Sequence, residues 1–346
     1  MDKLKKLRDR IDWLDSQIAT LLDERMRAAD QIGKIKRTCH HHVTDLLRED
    51  SVLNQVESII RHPILKANIS NIYGEIMQES RTAQNFFRYP NQPFRRIGII
   101  GVGLMGGSIC KGIKTKDSSI QIGALTHASE DDFLAQQGGW IDQTYSTIED
   151  LIQNSDLIIF ASPISTIIPL AEEIKLKTTS RLIVIDIASV KEEIVEAFEK
   201  LSCENMEYIS THPMAGKEKR GFVNSQATLF ANRPWIIVPH KKNSSSGIES
   251  IKELIRFLGS EPICLEAKVH DQQAALVSHL PSILAKSYFD FVRSMDPESL
   301  KIAGPGFQAF TRLANDNNEM REEISKSNQH IQGFLKKWLK YLEKLN

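Results

Sequence analysis

The sequence predicts three parts: an all-α unit, a doubly wound α/β unit, and a second all-α unit. Three observations carry this reading. Apolar residues near the start recur in steps of three and four, a glycine-rich turn then follows an apolar strand-like run, and amphipathic helical spacing returns from about Glu266. The expected domains are 1–88, 95–265 and 266–346.

Composition bounds the answer first. At 346 residues, 41% hydrophobic and 25% charged, the chain is an ordinary globular protein of two or three domains. Lys plus Arg and Asp plus Glu are equal at 44 each, so no overall charge recruits nucleic acid or an anionic membrane. Cys39, Cys110, Cys203 and Cys264 are scattered with no CxxC pair, which fits a reducing compartment. The opening "MDKLKKLRDR" has no apolar signal region, and no run reaches the roughly 18 apolar residues of a membrane helix. A cytoplasmic protein is expected.

Leu4, Leu7, Ile11, Leu14, Ile18 and Leu21, continued by Ala28, Ile32 and Ile35, form one helical face. From Lys3 to Arg37 that helix would run roughly 50 Å, longer than a small domain is wide, and so calls for a partner chain. A second helix is expected from about Asp45 to Ile60 and a third from about Ile64 to Phe87. His40, His41 and His42, between the first two, read as a polar loop, because nothing nearby completes a metal-ligand spacing. "FFRYPNQPF", with two prolines among aromatics, then reads as a boundary.

The polar residues of this unit cluster by angle. Arg25 and Lys36 return to nearly the same face at 100° per residue. Asp45, Arg48 and Glu49 stand at i, i+3 and i+4, and Ser80 and Gln84 at i and i+4. Arg8 lies roughly 25 Å from Arg25 along the axis and suits the pocket of an antiparallel partner. The set, "LR" at Leu7 and Arg8, "LLDER", "GKIK", "DLLRE" and "SRTAQ", resembles the AroQ-type chorismate mutases. Chorismate is a dicarboxylate that rearranges without nucleophile, acid, base or metal, so its enzyme must hold a folded conformer and stabilise charge on the ether oxygen. The resemblance implies that Arg8 of the partner chain, Arg25 and Arg48 hold substrate. It places Lys36 and Gln84 at the ether oxygen, and it has Asp45, Glu49 and Ser80 position the hydroxyl and a carboxylate.

"RRIGIIGVGLMGGS" runs an apolar strand into Gly101, Gly103 and Gly106, with Leu104 and Met105 opening a helix. The glycines would let a pyrophosphate approach the helix N-terminus. "IQIGALT", "DLIIFASP" and "RLIVIDIAS" follow at intervals suited to further parallel strands, and Ser162 and Pro163 end the second of these beside the expected cofactor. The acidic residue that usually meets the ribose 2′-hydroxyl is missing from the end of the second strand, where Leu125, Thr126 and His127 stand. NAD is the expected cofactor, with NADP left open because Thr126, His127 or Ser129 could meet a 2′-phosphate. Glu130, Asp131 and Asp132 read instead as the start of a helix.

"STHPMAGKE" follows the strand "MEYIST" and lies beyond "DIASVKEE", read as a strand ending in Ser189 and Lys191. Both ends would open on the same crevice. "DIASVK", "HPMAGKE", "VHDQQAALVSHLPSILA" and "GPGFQAFTRLA", in that order, resemble the prephenate dehydrogenase family, often called TyrA. That resemblance implies a Rossmann domain and a C-terminal helical dimerisation domain. It implies His212 as acceptor of the ring-hydroxyl proton while hydride leaves the same carbon, Ser189 as a hydrogen-bonding neighbour, Arg312 on a carboxylate and His270 near the substrate. Ser282 stands where many relatives have the last histidine of "SHLPH", and Gln308 and Ala309 replace a common Arg-Asp pair. These departures leave prephenate against arogenate, and inhibition by tyrosine, open. The chain stops at Asn346 soon after "GFLKKWLKYLEKL", so no separate regulatory domain is expected.

The two resemblances together imply a homodimeric bifunctional enzyme that carries chorismate through prephenate to 4-hydroxyphenylpyruvate. Two alternatives stand beside it: an arogenate dehydrogenase whose helical extension only dimerises, and a nonenzymatic NAD(P)-sensing regulator. The second would have no use for His212, Ser189 and Arg312 together.

Overall fold

The computed structural model describes residues 2–39, 43–125, 129–217, 219–315 and 317–344. Three helices come first: α1 (Asp2–Thr38), α2 (Leu46–Ile59) and α3 (Pro63–Phe86). Gly33 sets the closest approach of α1 to α3, since a Cβ there would sit 2.9 Å from the Gln84 Cα. Ala29 and Met77 are buried in the same short seam. Further toward the N-terminus the apolar stripe of α1 is bare: Leu7, Ile11, Leu14, Ile18 and Leu21 are each at least 41% exposed. The histidines at 40, 41 and 42 lie outside the described residues.

The run after α3 is packed rather than free. Phe86 and Phe94 are buried, and the Lys116 ammonium donates to the carbonyls of Phe86, Tyr89 and Phe257. Asn232, in the left-handed region at φ 62, bonds the side chains of Thr82 and Asn85 on the last turns of α3. The helical unit is therefore seated on the next one.

That next unit alternates strand and helix: β1 (Arg96–Ile100), α4 (Leu104–Lys116), β2 (Gln121–Leu125), α5 (Glu130–Gln137), β3 (Gln143–Tyr145), α6 (Ile148–Gln153), β4 (Leu157–Phe160), α7 (Ile164–Lys177), β5 (Leu182–Asp186), α8 (Glu192–Leu201), β6 (Met206–Pro213), β7 (Pro234–Val238), α9 (Ser245–Phe257) and β8 (Glu261–Cys264). The strands form one sheet in the order β3-β2-β1-β4-β5-β6-β7-β8, parallel except where β6 meets β7. The central strands are apolar without interruption because helices cover both faces. Residues alternate between the layers: Ile97, Ile99, Leu157 and Ile159 meet Ile109 and Ile113 of α4, while Ile158, Phe160 and Val184 meet Ile167 and Ile174 of α7. The chain order reverses between β1 and β4, which opens a crevice at their C-terminal ends.

The last unit is helical: α10 (Ala267–Ala274), a π turn (Ala275–His279), α11 (Leu280–Met295), α12 (Pro305–Thr311), α13 (Asn318–Ser327) and α14 (His330–Glu343). Ala275, Ile324 and Ile331 join the core on the α7 and α8 side of the sheet. Tyr288, Phe291, Met295, Ile302 and Phe310 remain exposed. Among the described residues, no helix is long and apolar enough to cross a membrane.

One expectation is corrected at this level: β5 ends at Asp186, so Ser189 and Lys191 belong to the turn into α8. Asp45 opens α2 as its N-cap, its carboxylate accepting from the Arg48 N–H at 3.0 Å, because a short acceptor there satisfies an otherwise unpaired helix donor.

Candidate functional site

The glycine turn meets the geometric demands of a pyrophosphate cradle. Gly101 has φ +98, and a Cβ on it would lie 2.6 Å from the Ala161 carbonyl; a Cβ on Gly106 would overlap the Gly101 carbonyl. Gly103 caps α4 with open space in front of it, the nearest group being the Asp131 carboxylate at 3.9 Å from where its Cβ would stand. These residues fit a dinucleotide. Asp131 belongs to the first turn of α5, which Ser129 and Asp132 close with a capping box, as the acidic run implied. Its second oxygen accepts from the Phe222 N–H at 2.8 Å. Thr126 and His127 lie outside the described residues.

Beside the turn lies a crevice of about 960 Å³ between the sheet unit and the C-terminal helices. Leu104, Met105, Ser162 and Pro163 line one end; Ser189, His212 and Arg312 line the other. Glu323 of α13 closes over the first turn of α7, accepting from Ile164 N at 3.2 Å and the Ser165 hydroxyl at 2.7 Å. A carboxylate is well placed at a helix N-terminus.

His212 is a strand residue, paired with Ile236 across β6 and β7, and is 7% exposed on the crevice wall. Beneath it Lys191, wholly buried, pairs with Asp186 and donates to the Ser210 hydroxyl at 3.0 Å and the Thr211 carbonyl at 2.7 Å. Burial pulls the Lys191 ammonium below its ordinary range, with Asp186 opposing that pull. Burial, His270, Lys191 and His279 together hold His212 well below 6.5, so its ring is neutral at pH 7.

His270 lies one contact behind the crevice wall. It is 2% exposed and stands behind His212 rather than on the wall, its Nε2 2.9 Å from His212 Nδ1 and its Nδ1 2.8 Å from Asp271 Oδ1. Asp271 also caps α8, accepting from Lys191 N at 2.8 Å and Glu192 N at 2.9 Å. Burial resists ionisation of this carboxyl, yet the bonds from His270, Glu192 and Lys191 keep it below its ordinary value.

His279, on the wall, was missed as a site residue although "SHLP" contains it. Pro281 follows it, and the π turn that carries His279 is how the helix passes that proline. Burial drives His279 down to about 4, Asp271 opposing, and its Nε2 makes no full hydrogen bond. Ser282 accepts from Arg321 Nε at 3.1 Å on the same wall.

The helical unit gathers a second cluster. Arg25 bonds the Ser80 hydroxyl, Lys36 donates to the Val43 carbonyl at 2.6 Å, and Glu49 pairs with Arg81 of α3. Gln84 is buried with its Oε1 unpartnered. Arg48 and Arg8 are exposed, Arg8 on the bare part of α1. Arg25, Lys36, Ser80 and Gln84 thus lie along one seam, which Arg8 of the same chain does not join.

Family models place these units. Residues 7–85 match "Chorismate mutase type II", residues 111–263 "Prephenate dehydrogenase, nucleotide-binding domain" and residues 266–346 "Prephenate dehydrogenase, dimerization domain". A prephenate dehydrogenase of Lactococcus lactis subsp. cremoris is 32% identical over 242 residues, 68% of this chain and 66% of that protein. One of Bacillus subtilis is 25% identical over 260 residues, 74% of this chain and 70% of its own. The crystal structure of prephenate dehydrogenase from A. aeolicus in complex with hydroxyphenyl propionate and NAD+ superposes with a TM-score of 0.66 at 26% identity, covering 74% of this chain and 91% of that one. A Synechocystis arogenate dehydrogenase shares the fold at a TM-score of 0.61 and 23% identity, covering 72% and 90%.

Proposed function

The chain belongs to the prephenate dehydrogenase family and carries a type II chorismate mutase domain ahead of it, an isomerase joined to an oxidoreductase, and from this we propose a two-step path from chorismate to 4-hydroxyphenylpyruvate. We divide the chain at 1–88, 95–265 and 266–346 accordingly. The observation that carries the second step is His212: a neutral imidazole on the wall of a crevice that begins at a dinucleotide-shaped glycine turn.

A bound nicotinamide would supply the hydride acceptor. His212 takes the proton of the ring hydroxyl as the carbon beneath it gives up hydride. The ring carboxylate departs as carbon dioxide, its bonding pair aromatises the ring, and the oxygen ends as a phenol, so the borrowed proton returns. Ser189 bonds near this centre and Arg312 meets a carboxylate. In the helical unit Arg25 holds a carboxylate, Lys36 and Gln84 face the ether oxygen, and Ser80 fixes Arg25. Arg48, Asp45 and Glu49 border that site, and Arg8 completes it from a second copy. The bare stripe of α1 and the exposed apolar residues of α11 support a homodimer. The shared hydroxyphenyl group makes tyrosine a competitor for the crevice.

We further infer NAD rather than NADP. The Asp131 carboxylate fronts the glycine turn and would repel a 2′-phosphate, standing in for the acid that β2 lacks. A cytoplasmic site accords with four free thiols, three of them exposed.

An ultraviolet time course tests both steps: purified protein with chorismate, then NAD or NADP after the first change has settled. Chorismate loss followed by nicotinamide reduction is expected. Lys36→Ala should stop chorismate loss yet still oxidise added prephenate, and His212→Ala should stop the second phase alone. If His212→Ala abolished mutase turnover and spared oxidation, the assignment would fail.

A further inference from the structure

With both imidazoles neutral, the chain Asp271–His270–His212 has one arrangement of protons that satisfies every member. Asp271 is ionised and already accepts two backbone N–H groups from the start of α8, so it can only accept from His270 as well. His270 therefore carries its proton on Nδ1. A neutral His270 then has a bare Nε2, which must accept from His212 Nδ1–H across 2.9 Å. His212 is left with Nε2 as its bare nitrogen, on a ring that lines the crevice.

We propose that His270 and Asp271 are positioning residues for dehydrogenation: they select the His212 tautomer whose Nε2 is free to take the hydroxyl proton, and they face the transient imidazolium with a fixed negative charge. This rests on the reading of His212 as the base. His212 Nε2 gains the substrate's hydroxyl proton while the electrons leave as hydride to the nicotinamide; the proton returns to the phenolic oxygen once carbon dioxide is lost. Nothing else is consumed. His270 and Asp271 move no proton to solvent, since both are sealed behind the wall at 2% and 1% exposure.

The placement has a structural logic. The base sits on β6 of the sheet unit, while its orienting pair sits on α10 of the C-terminal unit and is itself pinned by the N-terminus of α8. Docking of the two units therefore sets the tautomer. The other charged or titratable groups facing His212 are Lys191 with Asp186 beneath it and His279 on the π turn. Neither occupies His212 Nδ1, so among the described residues His270 alone fixes that nitrogen.

Three variants of the full chain test this, with chorismate consumption as the control for folding. His270→Gln keeps an acceptor toward His212 and a donor toward Asp271; His270→Leu fills similar space with neither. We expect prephenate oxidation to fall in kcat by at least about 100-fold in His270→Leu, with KM little changed and Gln clearly better than Leu. A packing role would rank Leu equal to or above Gln, and that result overturns the proposal. Asp271→Asn should lower kcat and move the acid limb of kcat/KM to lower pH, because the imidazolium has lost its counter-charge.

A second readout needs no turnover. In ligand-free protein labelled with nitrogen-15 histidine, the His212 resonances, assigned by their loss in His212→Gln, should report Nδ1–H and a bare Nε2, and should change in His270→Leu. Finding Nε2–H in the unmodified chain would refute the relay even if any variant misfolded. If His212→Gln still oxidised prephenate, the base reading itself would fall; if it were dead while all three variants matched the parent in rate and pH profile, only the relay would.

Discussion

His279 makes stability depend on acid in a way that can be worked out. Its ring is held neutral in the folded chain, with its pKa brought from 6.5 to about 4 by burial. Between those values the unfolded chain binds a proton that the folded one does not, so stability present above pH 6.5 is lost as pH falls toward 4. The full gap is worth roughly 3 kcal/mol, of which about 2 is lost by pH 5. The perturbation is His279→Gln, which removes the titration, and the assay is urea unfolding followed by tryptophan fluorescence, Trp235 being buried in the sheet. His212 is shifted in the same direction, first by its own burial and last by His279, so most of the acid loss it adds is common to both proteins. The Asn328 amide lies 3.1 Å from His279 Nδ1, and whatever the variant forfeits there is forfeited equally at both pH values. The parent should lose about 2 kcal/mol more than the variant on going from pH 7 to pH 5. Equal losses would mean that His279 is hydrated or already charged, and the burial argument would be wrong.

Other consequences follow from neighbouring residues. Lys191→Met strands the wholly buried Asp186 and should cost about 3–5 kcal/mol, seen as an earlier unfolding transition of the sheet unit. Gly101→Ala demands a side chain at φ +98 against the Ala161 carbonyl, so NAD affinity measured by protein fluorescence quenching should drop by at least about tenfold, while mutase turnover persists. Asp131→Asn should raise kcat/KM with NADP relative to NAD; an unchanged ratio would remove Asp131 as the discriminating group. Since His212 is neutral well below 6.5, dehydrogenase kcat/KM should hold its plateau at pH 6, and a decline centred near 6.5 would contradict its burial.

Much of this was legible in order and spacing. The steps of three and four gave α1 to within a residue at each end, and the apolar runs gave the central strands, because a sheet covered on both faces leaves no choice of polarity. The glycine turn announced its own geometry. What was hidden lay at right angles to the chain. Asp271 beside His270 looks like half of a "VHD" string, and only the docking of α10 on α8 shows that the aspartate serves two masters, a helix end and an imidazole. His279 was in plain sight, but a π turn ahead of Pro281 has no simple period to read. Asp131 was read correctly as the start of a helix; that its carboxylate also fronts Gly103 depends on where α5 lands.

The seat between α3 and the sheet bears on how such a chain can be cut and recombined. Lys116 holds the carbonyls of Phe86 and Tyr89 from one side of the seam and Phe257 from the other, and Phe86 is 1% exposed. Gln84, whose buried Oε1 has no hydrogen-bond partner, is two residues from that plug. A gene fragment ending near Arg88 would therefore release an aromatic side chain into water and loosen the final turn that carries Gln84, while the remaining fragment would keep a lysine with fewer carbonyls to hold. The two catalysts share masonry at the join, so neither is an interchangeable cassette, and a graft onto another dehydrogenase succeeds only if the recipient brings its own lysine and an equivalent hollow.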